Sequence, residues 1–247
     1  MLAFMVTPRA KIRLFVEQPL GEGQEIALSQ AHAHYLVNVM RLSPGAEIAL
    51  FNGRDGEWLA LLTNVGKRAA MARCLVQSAP QRLPPDLWLL FAPIKKSRTD
   101  FIVEKATELG AARILPVQTE FTNAERIRQD RLQAHAIEAA EQCGGTYVPD
   151  VAPLQPLARV LADWPDGRAL IWGDEALSAS SLSPRPMAPA PAAILIGPEG
   201  GFSSSERTRL ASLPMIRPMA LGPRILRADT AAVAAITLWQ ATHGDWL

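Results

Sequence analysis

Cysteine is almost missing from this chain: it has two, Cys74 and Cys143, far apart in sequence. That excludes a disulfide framework and any zinc-type Cys spacing, and it suits a cytoplasmic protein. Long apolar runs are missing too. Nothing approaches the ~20 residues that a membrane helix needs. The opening MLAFMV is apolar for six residues and then meets Pro8, too short for a signal-peptide core. Residues 1–8 read as a frayed extension. Neither sign of charge dominates: 25 Lys and Arg face 24 Asp and Glu, for a formal net charge of +1. A generally basic nucleic-acid binder is excluded, so any phosphate contact must come from a local patch. Aromatics make up 6% of the residues, few for stacking along a single strand. The phosphate-binding GxxxxGK[ST] pattern is absent, and no glycine loop has the GxGxxG spacing of a dinucleotide site. His32 and His34 are two apart on a predicted helix, so they share no face, and no carboxylate or cysteine cluster accompanies them. No metal is expected.

What is present is a 247-residue chain, 49% hydrophobic, enough for a sizeable core. Its first third reads as strands. KIRLFVE (11–17), EIAL (25–28), EIALF (47–51), EWLALL (57–62) and MARCLVQ (71–77) are strand candidates. NGRDG (52–56) is a hairpin signal between two of them. One helix interrupts, capped by Ser29 and closed by Pro44-Gly45. Short strands with turns between them suggest a small β-barrel over residues 1–78.

SAPQRLPPD (78–86) holds three prolines in nine residues and breaks the pattern. Beyond it, over 79–247, apolar strands alternate with helices. The strands are DLWLLFAPI (86–94), ARILPV (112–117), RALIWG (168–173), AAILIG (192–197) and a weaker PMALG (218–222). The first helix, from about Arg98 to Leu109, carries Ile102, Val103, Ala106 and Leu109 on one face. A longer one, 125–145, ends in paired glycines. SPRPMAPAPAA (183–193), with four prolines, reads as an irregular loop. Alternating β and α units predict a mostly parallel α/β sheet.

Two strand–loop–helix junctions stand out. In ILIGPEGGFSSSE (194–206) a strand runs into Gly197-Pro198-Glu199-Gly200-Gly201, and Ser203 with Glu206 fits a capping box. In LGPRILRADTAAVAAI (221–236) a strand end meets Gly222-Pro223, and Asp229 or Thr230 is placed to cap the last helix. Ligands of open α/β sheets bind beyond the carboxyl ends of strands, and glycine lets backbone approach them closely. Both junctions are also consistent with tight turns, and Arg227 with Asp229 is consistent with an ion pair tying down a loop.

IGPEGGFSSSE together with LGPRILRADTAA resembles the RsmE family, ribosomal RNA methyltransferases of the SPOUT superfamily. KKSRTDFIVEKATELGAARILPV (95–117), IEAAEQCG (137–144) and HYLVNVMRLSPGAEIALFNGRDGEWLA (34–60) are similar in the same order. The resemblance implies an N-terminal PUA-like β-barrel for RNA, over 1–78. It implies a knotted SPOUT methyltransferase domain, over 79–247, with a trefoil knot. Periodicity shows no knot, and general connection rules disfavour one. The implied activity is methyl transfer from S-adenosylmethionine to N3 of a uridine in small-subunit (16S) ribosomal RNA, by a homodimer, on free RNA or within an assembled or assembling subunit. The cofactor is then expected against Ile196, Gly197, Pro198, Gly200 and Gly201, against Leu221, Gly222, Ile225 and Leu226, and near Trp172 in the IWGDE turn (171–175). The chain departs from the family pattern at Gly145 after EQCG, at GDEAL in the third loop, and at Asp229, where Glu is common.

Methyl transfer to N3 needs loss of a weakly acidic N–H proton, and charge then builds on the ring oxygens. Arg227 suits stabilisation of that charge, because a guanidinium stays cationic and presents a fork of donors. Glu199 or Asp229 suits positioning of the base or acceptance of the proton. For RNA contact, Lys95, Lys96 and Arg98 form one cationic group. Arg9, Lys11 and Arg13 form another, and Arg41 ends the first helix. Groups on two joined domains could clamp a structured RNA. Two alternatives stay open: a SPOUT enzyme acting on another RNA or base atom, and an inactive RNA-binding ribosome-assembly factor.

Overall fold

The computed structural model describes residues 10–66, 69–123, 126–179 and 187–247. The predicted fraying of residues 1–8, Arg9, and residues 183–186 of the 183–193 loop lie outside these. The chain divides into two units: Met1–Leu83 with Ala140–Tyr147, and Pro84–Ala139 with Val148–Leu247.

The first unit is built on five strands: β1 (Arg13–Phe15), β2 (Glu25–Leu28), β3 (Glu47–Phe51), β4 (Glu57–Val65) and β5 (Ala70–Ala79). They lie in the order β1-β3-β4-β5-β2, with β1 parallel to β3 and the remaining pairs antiparallel. Alternation sets the buried face: Ile12, Leu14, Ile26, Leu28, Ile48, Leu50, Ala60 and Leu62 share one core. The β3–β4 hairpin turns where NGRDG predicts. Asn52 Oδ1 accepts from the amides of Arg54 and Asp55, at 3.0 and 2.8 Å. The Asp55 carboxylate accepts from the Leu20 amide and from Asn52, and those two bonds hold its pKa below the ordinary carboxylate value. The helix α1 (Gln30–His34) is capped by Ser29, as expected, and continues as a π-helical turn over Tyr35–Val39. Arg41, just beyond, has a φ of 53°.

Arg13 is not a surface cation, contrary to the sequence expectation. Its side chain is 8% exposed. Nε donates to Glu57 at 2.5 Å, Nη1 to the carbonyls of Ala140 and Glu141 at 2.6 and 2.8 Å, and Nη2 to the Gly145 carbonyl at 2.8 Å. The guanidinium also lies over the Phe51 ring. It satisfies carbonyls that a helix C-terminus leaves without partners, and a cation there complements the helix dipole.

The second unit is a parallel sheet of β6 (Leu87–Phe91), β7 (Arg113–Gln118), β8 (Asp150–Val151), β10 (Ala169–Gly173), β11 (Ala192–Ile196) and β12 (Ile216–Met219). Its order is β12-β10-β11-β6-β7-β8, and the two-residue strand β9 (Gln155–Pro156) pairs with the end of β7. The helices are α2 (Lys96–Glu108), α3 (Gln129–Cys143), α4 (Leu157–Ala162), α5 (Ser204–Ser212) and α6 (Ala228–His243). Residues of α2, α3 and α6 pack with Leu87, Leu89, Phe91, Ile171, Ile194 and Ile196 in one core. Residues of α4 and α5 pack with Leu90, Leu170, Trp172, Ala193 and Leu195 in another. All five residues of β11 are buried, as a strand covered on both faces should be. Pro218 is tolerated because β12 is an edge strand. That strand covers 216–219 rather than the expected 218–222, which leaves residues 220–227 as a loop.

Candidate active site

Strands β12, β10 and β11 are neighbours and parallel, so their carboxyl ends lie side by side. Three loops therefore leave the sheet at one place: 174–175 after β10, 197–201 after β11 and 220–227 after β12. Together they enclose a cavity of about 470 Å³. Gly200 and Gly222, distant in sequence, both line it. Of the residues expected to hold a cofactor, Ile196, Gly197, Pro198, Gly200, Gly201, Leu221, Gly222, Ile225 and Leu226 line the cavity. Trp172 does not. It is 3% exposed and packs edge-on against Phe202 beneath the sheet end, while its neighbour Gly173 forms the wall. Of the catalytic candidates, Glu199 and Arg227 line the cavity and are exposed.

Asp229 is not among the lining residues, and it does not cap α6. The cap is Arg227, which makes no side-chain capping bond. Asp229 is instead the second helical residue. Its Oδ1 accepts from the Thr230 amide at 2.8 Å and its Oδ2 lies 3.5 Å from Arg98 Nη1. Arg98, grouped from sequence with Lys95 and Lys96, is thus a partner of Asp229, whereas Lys95 and Lys96 are exposed. Arg41 is exposed in the first unit. Arg9 lies outside the described residues.

Glycine is needed in the β11 loop for two reasons. A Cβ on Gly197 would come within 2.6 Å of the Phe202 ring. Gly201 has a φ of +71°, and a Cβ there would meet the Glu175 carboxylate at 2.7 Å. The predicted capping box is present: Ser203 accepts from the Glu206 amide, and Glu206 accepts from the Ser203 amide. The Glu206 carboxylate also takes the Glu120 amide at 2.9 Å, and Phe121 of the same loop backs Gly200.

Sequence reasoning missed Arg207. It projects from α5 and lies over Trp172, with Nη2 2.8 Å from Asp174 and Nη1 3.4 Å from Glu175. It thereby ties the loop after β10 to the helix after β11. No motif points to it; the one available hint was its place directly after the capping-box Glu206.

The walls are mainly backbone, glycine and aliphatic side chains, with three carboxylates, Asp174, Glu175 and Glu199, and two arginines, Arg224 and Arg227, among them. The volume is in the range of small-molecule sites. Such a cavity suits a ligand gripped by main-chain donors and acceptors and by flat apolar contact. Among the described residues, no cluster of His, Cys, Asp or Glu could hold a metal ion, and no helix is long and apolar enough to cross a membrane.

An RNA methyltransferase domain model matches residues 81–240, and an RNA methyltransferase PUA domain model matches 28–73. Fold and cavity therefore define an RNA methyltransferase, an α/β catalytic domain with a PUA-type companion. Ribosomal RNA small subunit methyltransferase E of Rickettsia conorii is 31% identical over 91% of this chain and 93% of its own length. The crystal structure of ribosomal RNA small subunit methyltransferase E from Neisseria gonorrhoeae, bound to S-adenosyl methionine, superposes with a TM-score of 0.83 at 30% identity, covering 96% of this chain and 99% of that one. A Legionella pneumophila methyltransferase in complex with the same cofactor gives a TM-score of 0.83 at 29% identity, over 95% of this chain and 98% of that one. The chain belongs to the ribosomal RNA small subunit methyltransferase E family.

Proposed function

We propose that the chain methylates N3 of one uridine in small-subunit (16S) ribosomal RNA, with S-adenosylmethionine held in the cavity after β10, β11 and β12. The observation that carries this is the meeting of the Gly200 and Gly222 loops in one cavity that also holds Glu199 and Arg227. S-adenosylmethionine supplies an electrophilic methyl group when bound. Ile196, Leu221 and Leu226 would hold its apolar parts, and the Gly197–Gly201 turn would hold its polar groups through main-chain atoms; all of them line the cavity. Arg227 stabilises the charge that builds on the uracil oxygens as N3 loses its proton. Glu199 orients the base or takes that proton.

The same proposal makes residues 1–78 the PUA-like RNA-binding domain and 79–247 the methyltransferase domain, with the family's trefoil knot in the latter. Arg41 on the first and Lys95 and Lys96 on the second are its exposed phosphate ligands. A homodimer is part of the same proposal, with Ile225, a cavity-lining residue that is 76% exposed, as an apolar contact for the second copy. The work is cytoplasmic, where ribosomal subunits are assembled. Nucleoside analysis of ribosomal RNA from cells lacking the gene tests the reading. One 3-methyluridine should vanish from the small subunit and return with the wild-type gene. Complementation by Arg227→Ala should restore it at a rate lower by about 10²–10³. Unchanged 3-methyluridine in the deletion strain would refute the assignment.

A further inference from the structure

We infer that Arg98 and Asp229 form a clasp that positions the start of α6, and with it Arg227, against the cavity. Neither residue is then an RNA ligand or a proton acceptor; both are positioning residues. The inference rests on the reading of the cavity as the methyl-donor site.

Asp229 lies one residue after Ala228 and two after Arg227, both of which line the cavity. One carboxylate oxygen is spent on the Thr230 amide, and the other faces Arg98 Nη1 at 3.5 Å. The two side chains are only 18% and 31% exposed. Arg98 Nη1 is itself shut off from solvent and makes no hydrogen bond. A desolvated cationic nitrogen needs a nearby anion, and Asp229 is the carboxylate facing it. A nitrogen buried in that way is not presented to a phosphate, unlike the exposed Lys95 and Lys96.

The α6 N-terminus also lacks a side-chain cap, so ordinary capping does not fix where the helix begins. The clasp does so from the neighbouring helix. Its counterpart is at the far end of the same helix pair. There the fully buried Gln240 donates to the Leu109 carbonyl at 2.7 Å. Between these ties, Ala232, Ala235 and Ile236 pack in one core with Ile102, Val103 and Ala106. Helix α6 is thus pinned to α2 at both ends, and the Arg98 end is the one that borders the cavity. An acidic residue in the first turn of α6 suits the helix dipole as well.

Calorimetric titration with S-adenosylmethionine and steady-state kinetics on small-subunit RNA test this on the full chain. Arg98→Ala and Asp229→Asn should each weaken cofactor binding or lower kcat by about tenfold, short of the roughly 10²-fold that a 1 Å misplacement of a catalytic group costs. KM for RNA and its salt dependence should stay as in wild type. The double variant should be no worse than either single one, because both remove one interaction. Asp229→Glu should restore function by keeping a carboxylate within reach of Arg98. If Arg98→Ala does not fold, the Asp229 variants carry the test. An Arg98→Ala variant with normal cofactor affinity and kcat but weaker RNA binding, its salt slope smaller by about one, would overturn the clasp and make Arg98 a phosphate ligand. Additive losses, or no loss in either single variant, would overturn it too. Wild-type protein that binds no S-adenosylmethionine would instead refute the cavity assignment.

Discussion

A Cβ placed on Gly201 would stand 2.7 Å from the Glu175 carboxylate, so the chain after β10 and the loop after β11 come together at the cavity that both line. Arg207 strengthens that junction by reaching both Asp174 and Glu175. Gly201→Ala therefore meets two obstacles: a φ of +71° and the Glu175 side chain. The backbone strain alone is about 1–2 kcal/mol. The expected result is S-adenosylmethionine affinity lower by about tenfold, measured by calorimetry. Gly23→Ala is the control, since Gly23 has a φ of +76° and nothing within 4 Å of its Cβ position. It should lower stability without touching cofactor affinity.

Arg13 is a structural residue. Its side chain and that of Glu57 are 8% and 6% exposed, and Arg13 also holds three carbonyls of residues 140–145. Arg13→Ala leaves Glu57 buried without its cation and should cost about 3–5 kcal/mol in urea unfolding. Arg13→Lys should not rescue it, because one ammonium cannot reproduce a planar fork over four acceptors. A stable Arg13→Ala protein with weakened RNA binding would return Arg13 to the surface group in which its sequence neighbours place it.

Much of the second unit was legible in the chain. Continuous apolar runs marked its buried strands, Ser203 and Glu206 marked the start of α5, and the two glycine-bearing turns marked the cavity. What escaped depended on partners remote in sequence. Arg13 finds its carbonyl partners 127 to 132 residues away. Asp229 looks like a helix cap locally, and only the packing of α2 beside α6 reveals Arg98 as its partner. Strand alternation sends Ile171 and Trp172 to opposite faces, but the periodicity does not say which face the cavity occupies. The edge strand β12 is shifted because pairing with β10 sets its ends, and Trp172 pairs with Pro218 despite the missing donor.

Arg41 holds a φ of 53°, an uncommon conformation for a residue with a side chain. Arg41→Gly should raise stability by about 1 kcal/mol, read from the unfolding midpoint, because glycine adopts that conformation freely. If Arg41 contacts phosphate, the same variant should bind small-subunit RNA more weakly, with a salt slope smaller by about one. A gain in stability with unchanged RNA affinity would remove Arg41 from the RNA surface.

Two groups of the first unit, His32 and Asp55, are shifted in the direction that loses stability in acid. Burial of the His32 imidazole, whose Nδ1 has no hydrogen-bond partner, pushes its pKa below 6.5. The unfolded chain then binds the proton more readily than the folded one, so stability is full above pH 6.5 and falls as pH drops below it. Asp55, held low by the Leu20 amide and Asn52, keeps its contribution until pH falls past the ordinary carboxylate value of about 3.9. Unfolding followed against pH should show both losses. His32→Leu should abolish the upper one and Asp55→Asn the lower. An upper loss that survives in His32→Leu would assign it elsewhere.

The most direct measurement is calorimetry of the purified wild-type chain with S-adenosylmethionine. Two glycine-bearing turns that close one donor site predict saturable binding at one molecule per chain, together with protection of the amides of residues 197–201 and 221–227 from hydrogen exchange. Absence of binding, or binding with protection confined to other parts of the chain, would contradict it.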